Sequence, residues 1–320
     1  MKEPLLGPER AEIARLKKEA QGIKQSQDTI ELCEMFGPVV QGEGVTAGFP
    51  SIFIRVSGCN FVCGLHNGEG VGYAGPDGDP ITWWCDTETI WKQGRPYAFD
   101  EIIKWLKDIH EWHRVMSGNT HIIFTGGEPT MVKPAYEFMR LIDYMRARFA
   151  EEDYPNKGSL DRRSFIKYYM RDPGLADLHQ YPRAPVVEIE TNGSIHGEHV
   201  NALYQTYVTQ INCSPKLSNS GMPRSMRVNT KALDAIMAHP NHWWKIVVSH
   251  PDDWYGFMQD YAHVFNQGSS ETSRIIVMPA GSTQEELRET SQVAWDMAVR
   301  HNARYTDRYQ VRVWNMATGK

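Results

Sequence analysis

The sequence predicts an α/β fold built on a parallel sheet, because short apolar segments alternate with helical segments along most of its 320 residues. Hydrophobic residues make up 41% of the chain, which supplies ample material for a core. Glycine-rich turns follow two of the predicted strands, at Gln41–Gly44 and within Thr125–Pro129. Together these observations favour strands alternating with helices over an all-helical or all-strand chain.

Each predicted element follows from its hydrophobic pattern. Short apolar runs predict strands at 30–35, 51–56, 121–124, 186–189, 208–212, 244–248 and 274–278. Apolar residues that recur every three or four positions predict helices at 99–110, 133–149, 230–238 and 284–301. Residues 8–25 are strongly polar and predict a solvated helix or a loosely attached extension.

The alternation divides the chain into an N-terminal extension and one large domain. Residues 1–27 form the extension, and residues 28–320 form the domain. Two stretches interrupt the pattern within the domain and are interpreted as insertions on a simpler scaffold. The first, at about 64–84, is crowded with Gly, Pro and Asp, and the second, at about 151–185, is polar and mixed.

Charge and hydropathy limit the function classes. The formal net charge of −5 provides no general attraction to nucleic acid or to an anionic membrane, so a small-molecule substrate is favoured. No apolar run approaches the ~20 residues that span a bilayer, and the N-terminus lacks the apolar core of a signal peptide. We therefore expect a cytoplasmic protein that binds neither nucleic acid nor membrane.

Three of the five cysteines have a spacing that suggests a metal centre. Cys59 and Cys63 enclose three residues, and Cys85 follows in the segment WWCDT. Three thiolates fit an iron–sulfur cluster or a zinc site, and cysteines without any metal remain an alternative at this point. A 4Fe–4S cluster with three protein ligands would leave one iron open to an external chelator. Cys33 and Cys213 lie in or beside predicted strands and are interpreted as small buried side chains.

Two further motifs stand at predicted strand ends. TGGEP, at Thr125–Pro129, exposes backbone where a polar ligand can approach closely, although in isolation the motif is better explained as a tight βα turn. EIETNG, at Glu188–Gly193, ends another strand. In combination, CNFVC, a third cysteine preceded by Trp84, GGEP and EIETNG resemble the radical S-adenosylmethionine superfamily.

A narrower resemblance rests on motifs that occur in a fixed order. These are EMFGPVVQGEG at Glu34–Gly44, SIFIRVSGCN at Ser51–Asn60, CDT at Cys85–Thr87, TGGEP, SPK at Ser214–Lys216 and WKIVV at Trp244–Val248. The set is similar to the 7-carboxy-7-deazaguanine synthase (QueE) family and covers roughly Thr29 to the C-terminus. One feature departs from the family pattern. Members usually place two residues between the second and third cysteines, whereas this chain has 21, Gly64–Trp84.

The resemblance implies a fold and a reaction. The fold would be a radical S-adenosylmethionine partial (β/α) barrel with loop insertions, and residues 28–320 would be its catalytic domain. The reaction would be the radical ring contraction of 6-carboxy-5,6,7,8-tetrahydropterin to 7-carboxy-7-deazaguanine with loss of ammonia, a lyase step toward queuosine and other 7-deazaguanines. The implied partners are the pterin substrate, an electron donor such as flavodoxin or ferredoxin, and a second copy of the chain in a homodimer.

The resemblance also implies site residues. A 4Fe–4S cluster would be held by Cys59, Cys63 and Cys85. S-adenosyl-L-methionine would be bound by Gly126, Gly127, Glu128, Glu190, Asn192, Ser214, Pro215 and Lys216. The substrate would be bound by Val40, Gln41, Gly42, Glu43, Arg55 and Thr125, and Mg²⁺ by Thr87.

The chemistry of these side chains suits the implied roles. Arg55 offers a planar two-pronged donor for the substrate carboxylate, and Glu43 can accept hydrogen bonds from the pterin amino edge. Lys216 suits the carboxylate of the cofactor. Mg²⁺ prefers oxygen ligands and keeps several waters, so the Thr87 hydroxyl with substrate oxygens is sufficient, and the adjacent Asp86 is not assigned as a ligand.

Two alternative functions remain at the level of sequence. One is a glycyl-radical-activating enzyme of the same superfamily, which would need a protein partner and would consume its cofactor. The other is a non-catalytic zinc-binding α/β protein. The QGEG and SPK motifs favour the synthase over the activating enzyme, and iron and sulfide analysis after anaerobic purification separates it from the zinc protein.

Overall fold

The computed structural model describes residues 28–153, 185–265 and 272–315. The predicted N-terminal extension and most of the second predicted insertion therefore lie outside the described residues. None of the helices within the described ranges is long and apolar enough to cross a membrane.

The described strands form one open, mixed sheet of nine strands in the order β3-β1-β2-β4-β5-β6-β7-β8-β9. Their bounds are β1 Thr29–Val40, β2 Pro50–Val56, β3 Arg95–Ala98, β4 His121–Gly126, β5 Val187–Thr191, β6 Gln210–Cys213, β7 His242–Val248, β8 Ile275–Pro279 and β9 Arg304–Tyr305. Strands β2 and β4 to β9 are parallel neighbours, and β1 pairs antiparallel with β2 and β3. The predicted α/β class is confirmed, and the open sheet agrees with a partial barrel.

Helices fill the connections between the strands. The α-helices are α1 Glu88–Trp91, α2 Phe99–Asp108, α3 Trp112–Met116, α4 Val132–Asp153, α5 Glu198–Thr206, α6 Arg224–Arg227, α7 Thr230–Met237, α8 Asp253–Phe265, α9 Gln284–Arg300 and α10 Tyr309–Trp314. Short 3-10 helices lie at His66–Gly68, Ser218–Ser220 and Thr272–Arg274. All four predicted helices and all seven predicted strands are present, with ends shifted by a few residues.

The core lies between the central parallel strands and the helices that connect them. All five residues of β8 are buried, as expected for a parallel strand in the middle of such a fold. Phe124 of β4 stacks on Phe138 of α4 with ring centroids 3.6 Å apart. Trp244 of β7 and Ile189 of β5 are fully buried in the same apolar cluster. This packing fixes the strand ends from which the site residues project.

The first insertion, residues 64–84, is hydrogen-bonded to the rest of the domain. The amide of Gly64 donates to Ser220 (2.8 Å), and the Trp83 indole donates to Asn219 (2.9 Å). The carboxylate of Asp77 accepts from Arg227 (3.0 Å), whose side chain is 2% exposed. The insertion thus packs against the region around residues 218–227 and is held there by hydrogen bonds and an ion pair.

We expect Asp77→Asn to lower the free energy of unfolding by about 1–2 kcal/mol, because the buried guanidinium of Arg227 loses one of its carboxylates while Asp260 remains. Denaturant unfolding of the metal-free protein measures the change. The matched control is Asp79→Asn, an exposed aspartate in the same loop. Equal stability of both variants would show that the ion pair does not anchor the insertion.

Candidate active site

A cavity of about 890 Å³ opens at the carboxyl ends of the parallel strands. Segments that follow β2, β4, β5, β6, β7 and β8 all contribute to its lining. Since parallel strands present their carboxyl ends at one edge, residues far apart in sequence converge there. The cavity contains nearly all of the side chains that the sequence motifs predict for the site.

The three spaced cysteines line one end of this cavity. Cys63 is buried, Cys59 and Cys85 are half-buried, and Phe61 and Met222 pack around them. The amide of Cys85 donates to the carbonyl of Cys63 (3.1 Å), and the amide of Phe61 donates to the Cys59 Sγ (3.4 Å). The long insertion therefore brings Cys85 back beside Cys63.

The environment of these thiols fits a metal cluster. Burial raises the pKa of Cys59 and of Cys63 to about 12, so the thiolate forms need a compensating positive charge. Among the described residues, no three His, Cys, Asp or Glu side chains are arranged to hold one metal ion. A 4Fe–4S cluster distributes its thiolates over separate irons, so three thiols in one apolar corner suit it without converging on a single point.

The Gly-Gly turn lies directly against the loop that carries the first cysteine. A Cβ on Gly127 would come within 1.6 Å of the Gly58 carbonyl, and one on Gly126 within 2.5 Å of the Val56 backbone. Only glycine permits this approach, which leaves the turn backbone on the cavity wall. The following amide, of Glu128, donates to Gly58 (2.9 Å).

Two residues predicted to bind the cofactor do not line the cavity. Glu128 is fully buried, and its carboxylate accepts hydrogen bonds from the Thr191 hydroxyl and the Asn192 amide, both at 2.7 Å. Burial raises the pKa of Glu128 despite these hydrogen bonds. Pro215 is also buried and is not among the lining residues that the structure describes. Glu128 thus holds the Gly-Gly turn against the end of β5.

Ser214 and Lys216 line the cavity beside the cysteines. The Lys216 ammonium donates to the Ser214 hydroxyl (3.1 Å) and lies 5.4 Å from the ring centroid of Trp83. A cation held over an indole face in a partly buried site is well placed to meet an anion. The inserted loop therefore supplies one wall of the region around Lys216.

A half-buried carboxylate, that of Glu43, lines another part of the cavity. Glu43 accepts hydrogen bonds from Lys245 (2.6 Å) and Gln310 (2.9 Å), and its Oε1 lies 3.8 Å from the Arg308 Nε. Burial alone would raise the pKa of Glu43, but the charges of Lys245 and Arg308 outweigh it and lower the pKa to about 2. Glu43 therefore remains ionised and keeps acceptor capacity for a ligand.

Glu190 belongs to this same side. It accepts a hydrogen bond from Thr125 (2.7 Å) and one from Gln41 (3.4 Å), and it lies 3.8 Å from the Lys245 ammonium. The sequence predicts a cofactor contact for Glu190, whereas the structure groups it with residues predicted to bind substrate. Asn192 instead donates to Asn60 (2.8 Å), beside the cysteine loop.

Arg55 lines the cavity close to this carboxylate group. Its Nε donates to Glu34 (2.8 Å), and its side chain is 14% exposed. No described residue is hydrogen-bonded to its two terminal nitrogens, so the guanidinium retains a two-pronged donor set. Val40 and Gly42 also line the cavity, as predicted.

The CDT motif places two oxygen-bearing side chains at the cavity wall. The Thr87 hydroxyl lies 3.4 Å from the Cys85 sulfur, and the Asp86 carboxylate accepts from Arg308 at 2.9 Å.

The three cavity residues that contact Glu43 were not predicted as site residues from the sequence, namely Lys245, Arg308 and Gln310. Lys245 carries a signal, because a lone cation in an apolar strand is costly unless it is paired. Arg308 and Gln310 carry no such signal. Arg308 lies between a two-residue strand and a six-residue helix, Gln310 lies in that helix, and both elements are too short to show a periodic pattern.

Comparison with known proteins finds relatives that share one name. No family model matches the chain. A 7-carboxy-7-deazaguanine synthase from Pyrobaculum aerophilum is 26% identical over 294 residues, covering 91% of this chain and 97% of the relative. One from Halobacterium salinarum is 24% identical over 297 residues, covering 87% of this chain and 88% of the relative. The crystal structure of QueE from Escherichia coli superposes with a TM-score of 0.52 at 16% identity and covers 89% of this chain.

Proposed function

We propose that this chain is a member of the 7-carboxy-7-deazaguanine synthase family of radical S-adenosylmethionine enzymes and converts 6-carboxy-5,6,7,8-tetrahydropterin to 7-carboxy-7-deazaguanine with loss of ammonia. The single observation that supports it most is the joint placement of two groups in one cavity. Three thiols and the Gly-Gly turn line one part of it, and the half-buried carboxylates Glu43 and Glu190 line another part.

The thiol side suits the cofactors that the family uses. Cys59, Cys63 and Cys85 would hold a 4Fe–4S cluster, and the backbone of Gly126 and Gly127 with Lys216 would hold S-adenosylmethionine. When bound, this pair supplies a radical that removes a hydrogen atom from the substrate. The protein contributes position and shelter from water, since Phe61, Met222 and the wall formed by residues 64–84 surround the thiols.

The carboxylate side suits the pterin. Glu43, ionised at neutral pH, would accept hydrogen bonds from the amino edge of the ring, and Gln41 and Thr125 would contact the same edge. The terminal nitrogens of Arg55 would bind the substrate carboxylate in a two-pronged manner. A buried polar set of this kind rejects analogues because their mismatch leaves charged groups unpaired.

Further parts of the proposal concern the metal ion and the partners. Mg²⁺ would bind the Thr87 hydroxyl together with substrate oxygens. An electron donor such as flavodoxin or ferredoxin would reduce the cluster, and the chain would act as a homodimer.

Anaerobic reconstitution tests the function. The protein is combined with iron, sulfide, reductant, S-adenosylmethionine, Mg²⁺ and carboxytetrahydropterin deuterated at C6. The product and the recovered S-adenosylmethionine are then analysed by mass spectrometry. The net reaction is an elimination without net oxidation, so we expect many product molecules per cofactor and deuterium in the recovered S-adenosylmethionine. Absence of carboxydeazaguanine would refute the function. One 5′-deoxyadenosine per product would indicate a consumed cofactor, as in a glycyl-radical-activating enzyme.

We expect Arg55→Lys to lower substrate affinity by about 1.5–3 kcal/mol, roughly 10–100-fold, because lysine keeps the charge but loses the two-pronged geometry. Equilibrium binding of the pterin measures this change, and S-adenosylmethionine binding to the same protein is the internal control. An equal loss of both affinities would place Arg55 in the scaffold or in the cofactor site.

A further inference from the structure

Three segments that are distant in sequence meet at one guanidinium, that of Arg308. We define the C-terminal strap as residues 304–315, the substrate loop as residues 41–49 and the cluster segment as residues 85–91. Arg308 donates to Asp86 of the cluster segment (2.9 Å) and to the Gly281 carbonyl after β8 (2.5 Å). Its Nε lies 3.8 Å from Glu43 of the substrate loop.

The strap and the substrate loop are joined by several other hydrogen bonds. The amide of Tyr309 donates to Gly42 (2.9 Å), and the amide of Gly44 donates to the Thr306 hydroxyl (2.9 Å). Gln310 also donates to Glu43 (2.9 Å), and its side chain packs so closely on Gly42 that a Cβ there would lie 1.9 Å from it. These two segments form one connected unit without any contribution from Arg308.

The cluster segment is joined to that unit differently. Among the residues that the structure describes, the pair Arg308–Asp86 is the only hydrogen bond or ion pair between the strap and residues 85–91. Asp86 is adjacent in sequence to Cys85 and Thr87, so a change in the position of its side chain also changes the positions of these two residues. The Arg308 side chain is 16% exposed and the Asp86 side chain 35% exposed, so solvent screens this ion pair only in part.

We propose that Arg308 is a positioning residue that fixes the cluster segment relative to the substrate loop. The inference rests on the proposed function for its catalytic meaning, because hydrogen transfer requires reacting atoms within about 3–3.5 Å and loses rate steeply with misplacement. Arg308 sets the distance between the cofactor end and the pterin end of the cavity through Asp86 on one side and Glu43 on the other.

Amide hydrogen exchange tests the tie without any need for turnover. The variant is Arg308→Gln, and the matched control is Arg312→Gln, which removes another arginine–carboxylate pair of the strap, with Asp307, away from the cavity. We expect both variants to accelerate exchange in the strap. Only Arg308→Gln should accelerate the amides of Ile90 and Trp91, which donate to Thr87 in the cluster segment. Unchanged exchange there would overturn the proposal.

Turnover then tests the catalytic meaning in enzyme with a measured iron content. For Arg308→Gln we expect product formation to fall ~10–100-fold, the loss typical of one charge-assisted hydrogen bond, while S-adenosylmethionine binding is unchanged. The ratio of 5′-deoxyadenosine to product should rise, because a misplaced substrate donates its hydrogen atom after a smaller fraction of the S-adenosylmethionine cleavage events. Arg308→Lys should restore part of the ratio, and Arg312→Gln should leave it at the wild-type value.

A double-mutant cycle with Asp86→Asn completes the design. If Arg308 acts through Asp86, the double variant should be no worse than the more impaired single variant. Additive losses, or a normal cleavage ratio in Arg308→Gln, would overturn the inference while wild-type turnover upholds the function. Wild-type protein that makes no product would refute the proposed function alone, since the exchange experiment still decides whether Arg308 ties the two segments.

Discussion

Replacement of Cys59, Cys63 or Cys85 by alanine is expected to abolish product formation. Each thiol lies in the same apolar corner, and a cluster with one open iron has no spare protein ligand to substitute for a lost thiolate. Iron and sulfide analysis after anaerobic reconstitution, followed by the product assay, measures the effect.

The control for the cysteine variants is Cys33→Ala. The Cys33 thiol donates to the Val56 carbonyl (3.1 Å), and burial raises its pKa to about 11, so it is an ordinary strand residue away from the cavity lining. It should retain the cluster and activity. A fully loaded, active Cys85→Ala would mean that another residue supplies the third ligand.

The second large effect is expected for Glu43→Gln. Glutamine keeps the shape but removes the charge that pairs with Lys245, leaving a buried ammonium with only the more distant Glu190. Breaking a buried pair costs about 3–5 kcal/mol, which corresponds to roughly 10²–10⁴-fold in kcat/KM if substrate recognition bears the loss. Steady-state kinetics and pterin binding measure the change.

Two comparisons make the Glu43 result specific. Glu137→Gln removes a half-buried carboxylate outside the cavity lining and should leave kinetics unchanged. Cluster content and S-adenosylmethionine affinity of Glu43→Gln should equal those of the wild type. Wild-type kinetics in Glu43→Gln would remove the carboxylate from substrate recognition.

The sequence predicted the fold well where hydrophobic period and burial coincide. Strand 275–279 and helix 284–300 follow directly from an apolar run and from a repeat of apolar residues. Helix α8 was missed because Gly256 and closely spaced aromatic residues obscure its period. Strand β9 was missed because two residues that pair at a sheet edge carry no periodic signal.

The candidate site also has features that the sequence predicted and features that it did not. Motifs predicted which residues gather in the cavity, since CNFVC, TGGEP, EIETNG and SPK lie at the ends of parallel strands, which share one edge of the sheet. The identity of the ligands and contacts remains a prediction. The grouping of Glu190 with Gln41 and Thr125 could not be predicted, because it depends on how neighbouring strands are registered. The pairing of Arg308 with Asp86 depends on a contact across 222 residues.

The hydrogen bond between Gln310 and Glu43 also has a consequence for folding during synthesis, because it joins residues that are 267 positions apart in the sequence. The three cysteines, in contrast, lie within one short stretch near the start of the sheet. A chain emerging from the ribosome therefore exposes its thiols long before residue 310 is made, and long-range closure comes late in folding. Under the proposed function, the segment that would hold the cluster is therefore synthesised well before the residues that complete the surroundings of Glu43.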